Sequence, residues 1–446
     1  MNSILLRASV IAALGGLLFG FDTAVISGTT DQLREVFSLT ANTLGFTVAA
    51  ALIGTIIGAL GAGKPSDKLG RRRTLHWVAV FYFVSAVGCG IAWNWYSLLA
   101  FRLLGGLAVG AASVVSPMYI AEISPARFRG RLVAVTQLNI VLGMLVAYMS
   151  NYVIAQLKFG NTEWRMMFGV EALPAALFFL LLFLTPCSPR WLVAQGRRAD
   201  AVAVFNALGA ESVENEVTDI EASLALERHS IQEPLLQQTY KQPILLAVAI
   251  STFNQLSGIN ALMYYAPQIF KMAGAGVDSA LLQAVAVGGT NLVFTMGALL
   301  VIDHFGRRKL MIAGSIGYIV SLAATATAFY QYGTNFSSFG SMAVLVSLLV
   351  FIASHALGQG VVIWVFLSEI FPNRVRARGQ ALGSFTHWFF AALISWTFPV
   401  FAEISGGHIF AFYSAMMVLQ WVWVVRVMPE TKGVPLEEIQ KRLGIE

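Results

Sequence analysis

A charged loop is written twice in this chain, each time between long apolar segments. Asp67-Lys68-Leu69-Gly70-Arg71-Arg72-Arg73 returns as Asp303-His304-Phe305-Gly306-Arg307-Arg308-Lys309. A second pair follows in the same order: Glu122-Ile123-Ser124-Pro125 with Arg127, Arg129 and Arg131, then Glu369-Ile370-Phe371-Pro372 with Arg374, Arg376 and Arg378. A looser third pair closes each half, Pro186-Cys187-Ser188-Pro189-Arg190 and Pro429-Glu430-Thr431-Lys432-Gly433. The partners stand 236, 247 and 243 residues apart (67 to 303, 122 to 369, 186 to 429). A near-constant offset across three unrelated motifs means an internal duplication, with both copies presenting their charges on one side.

The apolar segments themselves fix the fold class. With 57% hydrophobic and only 12% charged residues, the chain is far from a soluble domain. Crossing ~30 Å of hydrocarbon at ~1.5 Å per residue takes about twenty apolar residues. Twelve such spans are read: 8–27, 42–63, 75–93, 97–121, 132–157, 165–186, 243–270, 280–301, 310–332, 341–367, 380–402 and 408–428. In lipid each backbone polar group needs an internal partner, and runs of this length and apolarity predict helices, not barrel strands. The expectation is an all-α integral membrane protein. Glycines spaced as in Gly16/Gly20, Gly54/Gly58 and Gly106/Gly110 predict close helix crossings.

Basic residues give the orientation. With both termini inside, the outer loops carry Arg34, Lys158, Arg165 and Lys271, while nearly all other Lys and Arg fall in 64–73, 127–131, 190–241, 307–309, 374–378 and 426–442. That bias predicts a multi-pass protein of the plasma (inner) membrane with cytoplasmic termini, and it explains the +6 net charge without nucleic acid. The run after Arg7 contains Asp22 and lacks a clean cleavage site, so it reads as a resident helix, not a leader. Cys89 and Cys187 fall in different spans and no disulfide framework is expected. The expected division is a first six-helix bundle at 1–189, a polar linker with short surface helices at 190–241, a second bundle at 242–428 and a tail at 429–446.

Three residues charged at neutral pH lie within spans and away from their ends: Asp22, Arg102 and Glu171. Each costs roughly 2.5–3.5 kcal/mol at a helix centre, so each is expected to face a partner or a water-filled cavity. Asp22 and Arg102 have opposite signs and read as an ion pair. One reading is a static pair that fixes helix register. The other is a proton switch, in which separation from Arg102 lets Asp22 take a proton. Glu171 would modulate the pair or relay the proton.

Several runs carry a family resemblance: Gly15-Gly16-Leu17-Leu18-Phe19-Gly20-Phe21-Asp22, Asp67 to Arg72, Arg102-Leu103-Leu104-Gly105-Gly106, Pro117-Met118-Tyr119-Ile120-Ala121-Glu122, Gln255 to Asn260, Ser368-Glu369-Ile370-Phe371-Pro372 and Pro429 to Gly433. In this order they resemble the sugar porters of the major facilitator superfamily, the bacterial proton-coupled branch above all. The resemblance covers essentially the whole chain. It implies two six-helix bundles, a central sugar site near the membrane midplane, and proton coupling through the first-helix aspartate, here Asp22. Facilitators in the family typically lack that acid. The expected function is proton-coupled import of a pentose or hexose; a facilitative uniporter and a non-transporting sugar sensor are the alternatives. Sensors usually carry a long cytoplasmic tail, and about eighteen residues (429–446) follow the last span here. The expected partners are a small sugar, protons and the bilayer; the expected state is a monomer without cofactor or metal.

A sugar offers hydroxyls and apolar C–H faces, which amides and aromatic planes recognise. Such residues recur in the right spans: Gln137, Asn254, Gln255, Asn260, Asn291 and Trp364, with Phe19, Tyr264 and Tyr265 as walls or an outer lid. Any one amide could instead glue helices together; the resemblance places these positions at the sugar. Three departures from the family stand out. Asn254 replaces the first of a Gln pair, His387 replaces a Gln before Trp388, and Val361 stands where many relatives have proline. Helix distortion is expected at Gly258.

The duplicated loops predict an inner gate of ion-pair networks: Asp67, Arg71, Glu122 and Arg129 from one half, Asp303, Arg307, Glu369 and Arg376 from the other. Orientation and solubility alone would need only scattered arginines. An ATP-driven pump is excluded, since in Gly58-Ala59-Leu60-Gly61-Ala62-Gly63-Lys64 the next residue is Pro65, not Ser or Thr. No nucleophile–base pattern stands out, and an enzyme is not expected.

Overall fold

The computed structural model of the chain describes residues 2–210, 212–229, 234–372, 374–434 and 436–445. Among these residues the secondary structure is entirely helical. We number the long helices α1 (Ser3–Val25), α2 (Ala41–Gly61), α3 (Arg71–Gly90), α4 (Trp95–Ile123), α5 (Ala126–Gln156), α6 (Gly160–Leu184), α7 (Gln238–Met272), α8 (Val277–Phe305), α9 (Arg307–Tyr332), α10 (Ser338–Glu369), α11 (Arg376–Ile404) and α12 (Gly406–Arg426). Eleven of these, all but α3, are long and apolar enough to cross a membrane. α3 opens on Arg71-Arg72-Arg73 and carries His76, which dilutes the apolar run read from 75 to 93. The other eleven lie within a few residues of the spans read from sequence. Most of the observed helices extend slightly further, because a helix continues into the headgroup region after its apolar run ends.

Local chemistry sets the ends. Asn94 starts α4 with a capping box, its side chain accepting from Ser97 N at 2.8 Å. Ser337 and Ser405 cap α10 and α12 more simply, their hydroxyls accepting from Gly340 N and His408 N. The two copies of the charged loop share one backbone geometry: Gly70 has φ 86° and ψ 153°, Gly306 φ 85° and ψ 163°. That region is open essentially to glycine alone. A Cβ at Gly70 would also sit 3.0 Å from the Trp191 ring, and one at Gly306 2.7 Å from the Glu430 carboxylate. In both halves the third motif, or the residue directly after it, thus packs on the first.

By close contact the chain divides into two compact units, Met1–Thr23, Ile53–Ala147, Arg165–Ile231 and Ala24–Leu52, Tyr148–Trp164, Gln232–Glu446. In the first unit the spaced glycines let backbones touch. A Cβ on Gly20 would fall 1.8 Å from Ile140 O, and one on Gly110 2.1 Å from Thr55 O. Around these crossings Leu18, Tyr82, Val109, Tyr119 and Phe178 belong to one buried hydrophobic core. Three linker helices, Pro189–Ala194, Arg198–Leu208 and Val213–His229, belong to this unit. Arg198 bridges the last two through Glu214 at 2.6 Å and Glu221 at 3.3 Å. Hydrogen bonds and ion pairs to Glu214 and Glu221 push its guanidinium further up from its already high range.

The second unit takes in α7 to α12 together with the end of α1, most of α2 and the end of α5. Specific polar contacts hold those segments there. Asp31 pairs with Lys271 and Arg34 with Glu403. Trp396 Nε1 donates to Asn42 Oδ1 at 2.9 Å, and Tyr148 Oη to Met263 O at 2.6 Å. Gly45 lies so close to α11 that a Cβ would meet Trp396 O at 1.9 Å.

Candidate functional site

α1 and α4 bring opposite charges together inside the first unit. Arg102 Nη1 donates to Asp22 Oδ1 at 2.9 Å. Arg102 is 0% and Asp22 4% exposed. Gly105, on the same helix as Arg102, lets α3 come close: a Cβ there would stand 2.5 Å from Ser85 Oγ. The Phe168 ring lies 5.6 Å from the guanidinium carbon, a cation–π contact that strengthens when water is excluded. Glu171 follows one helical turn later and is also buried. It sits at a break in α6, between the helices Glu163–Gly169 and Ala172–Leu181. Pro174 causes the break, since it has no N–H to offer Val170 O. Glu171 Oε1 and Tyr82 Oη are both buried without a hydrogen-bond partner among the described residues. Tyr82 is within electrostatic reach of Asp22 and Glu171, and nothing in the sequence had marked it.

In the second unit α7 breaks at Gly258, which takes φ 83° between Lys241–Leu256 and Ile259–Met272. A side chain there would need the disfavoured left-handed conformation and would meet Tyr413 at 2.5 Å. The break gathers amides that a straight helix would spread. Gln255 Nε2 donates to Asn254 Oδ1 at 2.9 Å and faces the His387 ring nitrogens at 3.2 Å. Gln255 Oε1 accepts from Asn260 Nδ2 at 2.7 Å. Asn254 and Gln255 project about 100° apart on an ideal helix, yet the longer Gln side chain folds back to reach its neighbour. Each amide is thereby bonded to another, and a His387 nitrogen that accepts from Gln255 carries no proton of its own. The Trp364 and Trp388 rings lie 5.0 and 4.9 Å from the His387 ring, and Trp364 is exposed.

The remaining sugar candidates are placed as follows. Tyr264 and Tyr265 are buried; Tyr265 donates to Ser395 O at 2.7 Å and stacks on Phe398. Asn291 is buried in α8 and its Oδ1 takes a long contact from Thr295, 3.4 Å. Phe19 packs on the core of the first unit, and Gln137 is half-buried on α5.

The duplicated loops build the same joint twice. Arg71 Nε meets Glu122 at 2.9 Å and its Nη1 meets Asp67 at 3.0 Å; Ser188 also donates to Glu122. In the second half Arg307 Nη2 meets Glu369 Oε1 at 2.9 Å while Thr431 Oγ1 donates to Glu369 Oε2 at 2.6 Å. Glu430 caps α9, accepting from Arg307 N at 3.0 Å and Arg308 N at 3.1 Å. Ser188, Thr431 and Glu430 were legible only as part of a repeated motif, not as ligands of the acids. Arg129 is exposed. Arg376 bonds Phe371 O at 3.2 Å, and the Asp303 side chain lies outside the described residues.

Comparison with known proteins identifies the family and the fold. The family model described as sugar (and other) transporter matches residues 8–443. The D-xylose-proton symporter of Escherichia coli K12 is 38% identical, over 98% of this chain and 96% of its own length. The arabinose-proton symporter of Bacillus subtilis is 33% identical, over 97% of this chain and 94% of its own. The inward open structure of the xylose transporter XylE from E. coli superposes with a TM-score of 0.87 at 36% identity, covering 98% of this chain and 99% of that one. The fold is therefore that of a major facilitator, with twelve helices in two six-helix bundles. This chain is a multi-pass membrane protein of the sugar (and other) transporter family.

Proposed function

We propose that the chain imports a monosaccharide together with protons, and that Asp22 carries the proton. The observation that bears most weight is the carboxylate–guanidinium pair at 2.9 Å with both groups out of solvent. Such a pair is poor value as mere stabilisation, because desolvation offsets much of its attraction. As a switch it makes sense: Arg102 holds Asp22 ionised, and a helix movement that parts them turns the buried acid into a proton acceptor. Glu171, beside the pair, modulates it. Relatives described as xylose- and arabinose-proton symporters support this reading.

The sugar's hydroxyls would take over the bonds that Gln255, Asn254, Asn260 and His387 now make to one another, with Trp364 supplying a flat apolar face. An exchange of this kind replaces each of those bonds with one of the same sort, so none is lost when sugar enters. The Arg71–Glu122 and Arg307–Glu369 joints act as latches at the inner end, with both termini in the cytoplasm. The functional division follows the duplication, bundles at 1–189 and 242–428 joined by 190–241. The test is uptake of labelled pentoses and hexoses into proteoliposomes under an inward proton gradient. Accumulation above the bath level, abolished by a protonophore, is the expected result; uptake that only equilibrates makes the protein a uniporter.

A further inference from the structure

α10 breaks in the middle without a proline. Its two pieces, Ser338–Leu357 and Gln359–Glu369, meet at Gly358 with φ −100° and ψ −100°. Proline is a common cause of so sharp a break, and Val361 stands where many sugar porters have one. A buried polar chain is found instead. Gln359 Nε2 donates to Gln420 Oε1 on α12, and Gln420 Nε2 donates to Ser315 Oγ on α9 at 2.8 Å. Tyr318 Oη, also on α9, lies 2.5 Å from His355 Nδ1 and 3.3 Å from Gln359 Oε1. His355 and Gln359 flank Gly358, so the chain ties both sides of the break to two neighbouring helices. Close backbone contact completes the joint: a Cβ on Gly358 would sit 3.2 Å from Gly314 Cα, and one on Gly314 3.1 Å from Ser354 O.

The piece that this joint holds carries two groups already described. Trp364, five residues beyond Gln359, packs on His387. Glu369, at its far end, pairs with Arg307. A rigid helix of this length transmits its angle to both ends at once. We infer that Gln359 and Gln420 are positioning residues: their amide–amide bond fixes the angle of Gln359–Glu369 and so places Trp364 for the sugar. This rests on the sugar-import reading for its consequence, though not for its geometry. Buried amides are a demanding way to set an angle. Each unmade bond leaves a desolvated polar group, so only one angle satisfies the whole chain.

The test uses the full-length protein in nanodiscs and the paired variant Gln359→Leu/Gln420→Leu. Replacing both amides by leucines of similar size still leaves Ser315 Oγ its bond to Met311 O and Tyr318 Oη its bond to His355, so no polar side chain is orphaned and folding is retained. Two measurements follow. Spin labels on Val346→Cys and Ser368→Cys, with the two native cysteines replaced, report the distance across Gly358. The expected result is a single narrow distance in the parent and a broadened or shifted one in the paired variant. Sugar binding, read by tryptophan fluorescence, should weaken by about tenfold, equivalent to ~1.4 kcal/mol, with the thermal transition retained. An unchanged distance distribution overturns the inference, as does a folded paired variant that binds sugar as tightly as the parent. If the parent binds no sugar at all, the import reading fails, and the spin-label distance alone still decides the role of the joint.

Discussion

Asp22→Asn separates charge from shape at the point where the account is most exposed. Asparagine keeps the size of the side chain and an oxygen that can accept from Arg102 at the present 2.9 Å. It removes the negative charge opposite a fully buried guanidinium. Deleting one member of a buried pair costs ~3–5 kcal/mol, and the retained acceptor puts this variant near the lower end. The functional effect is separate from that cost and is read as lost proton drive. At a membrane potential of ~100 mV one entering charge contributes ~2.3 kcal/mol. Since ~1.4 kcal/mol is a factor of ten, one proton per sugar supports about 50-fold accumulation. With no ionisable group at position 22 that drive is lost and the ratio falls to one, while sugar still binds and exchanges. The assay is proteoliposomes with a potassium-diffusion potential, measuring net accumulation and sugar–sugar counterflow on the same preparation. Protonophore-sensitive accumulation in Asp22→Asn would refute the assignment. Loss of counterflow together with accumulation would show that Asp22 serves the structure or the sugar, not the proton.

Other predictions concern the second unit and the loops. Gln255→Ala deletes the hub joining Asn254, Asn260 and His387 and should weaken sugar binding by at least about tenfold at unchanged expression; equal affinity by calorimetry removes it from the site. Gly258→Ala forces an L-residue to φ 83° against the Tyr413 ring and should destabilise by at least ~1–2 kcal/mol, seen as a lower thermal midpoint in detergent. Glu122→Gln and Glu369→Gln break equivalent joints, at Arg71 and Arg307 respectively. Amide exchange should rise in the neighbouring loop of each variant to a similar degree, and a change in only one would contradict equivalent roles for the copies.

The membrane fold was legible because hydropathy is a one-dimensional signal and the duplicated motifs kept their order. Even there, α3 carries so much charge at its start that its apolar run falls short of a membrane-spanning helix by composition alone. The break at Gly258 could be anticipated from a glycine between paired amides. The breaks at Pro174 and Gly358 were not read: the first places Glu171 at a helix start, and the second needs a polar chain drawn from α9, α10 and α12, residues forty to a hundred positions apart. The contact of Tyr148 with Met263 O was likewise invisible, because a backbone carbonyl carries no sequence signature. Of the candidate site, the opposite signs of Asp22 and Arg102 could be paired from sequence. The mutual bonding of Asn254, Gln255, Asn260 and His387 could not, since it depends on the kink that brings five-residue neighbours together.

The central claim is that sugar entry carries protons with it, and a pH electrode measures that directly. Purified protein in proteoliposomes, suspended in weakly buffered medium with permeant counter-ions, should alkalinise the bath when an accepted pentose or hexose is added, and a protonophore should abolish the change. A bath that stays at constant pH while labelled sugar demonstrably enters the vesicles would contradict the account.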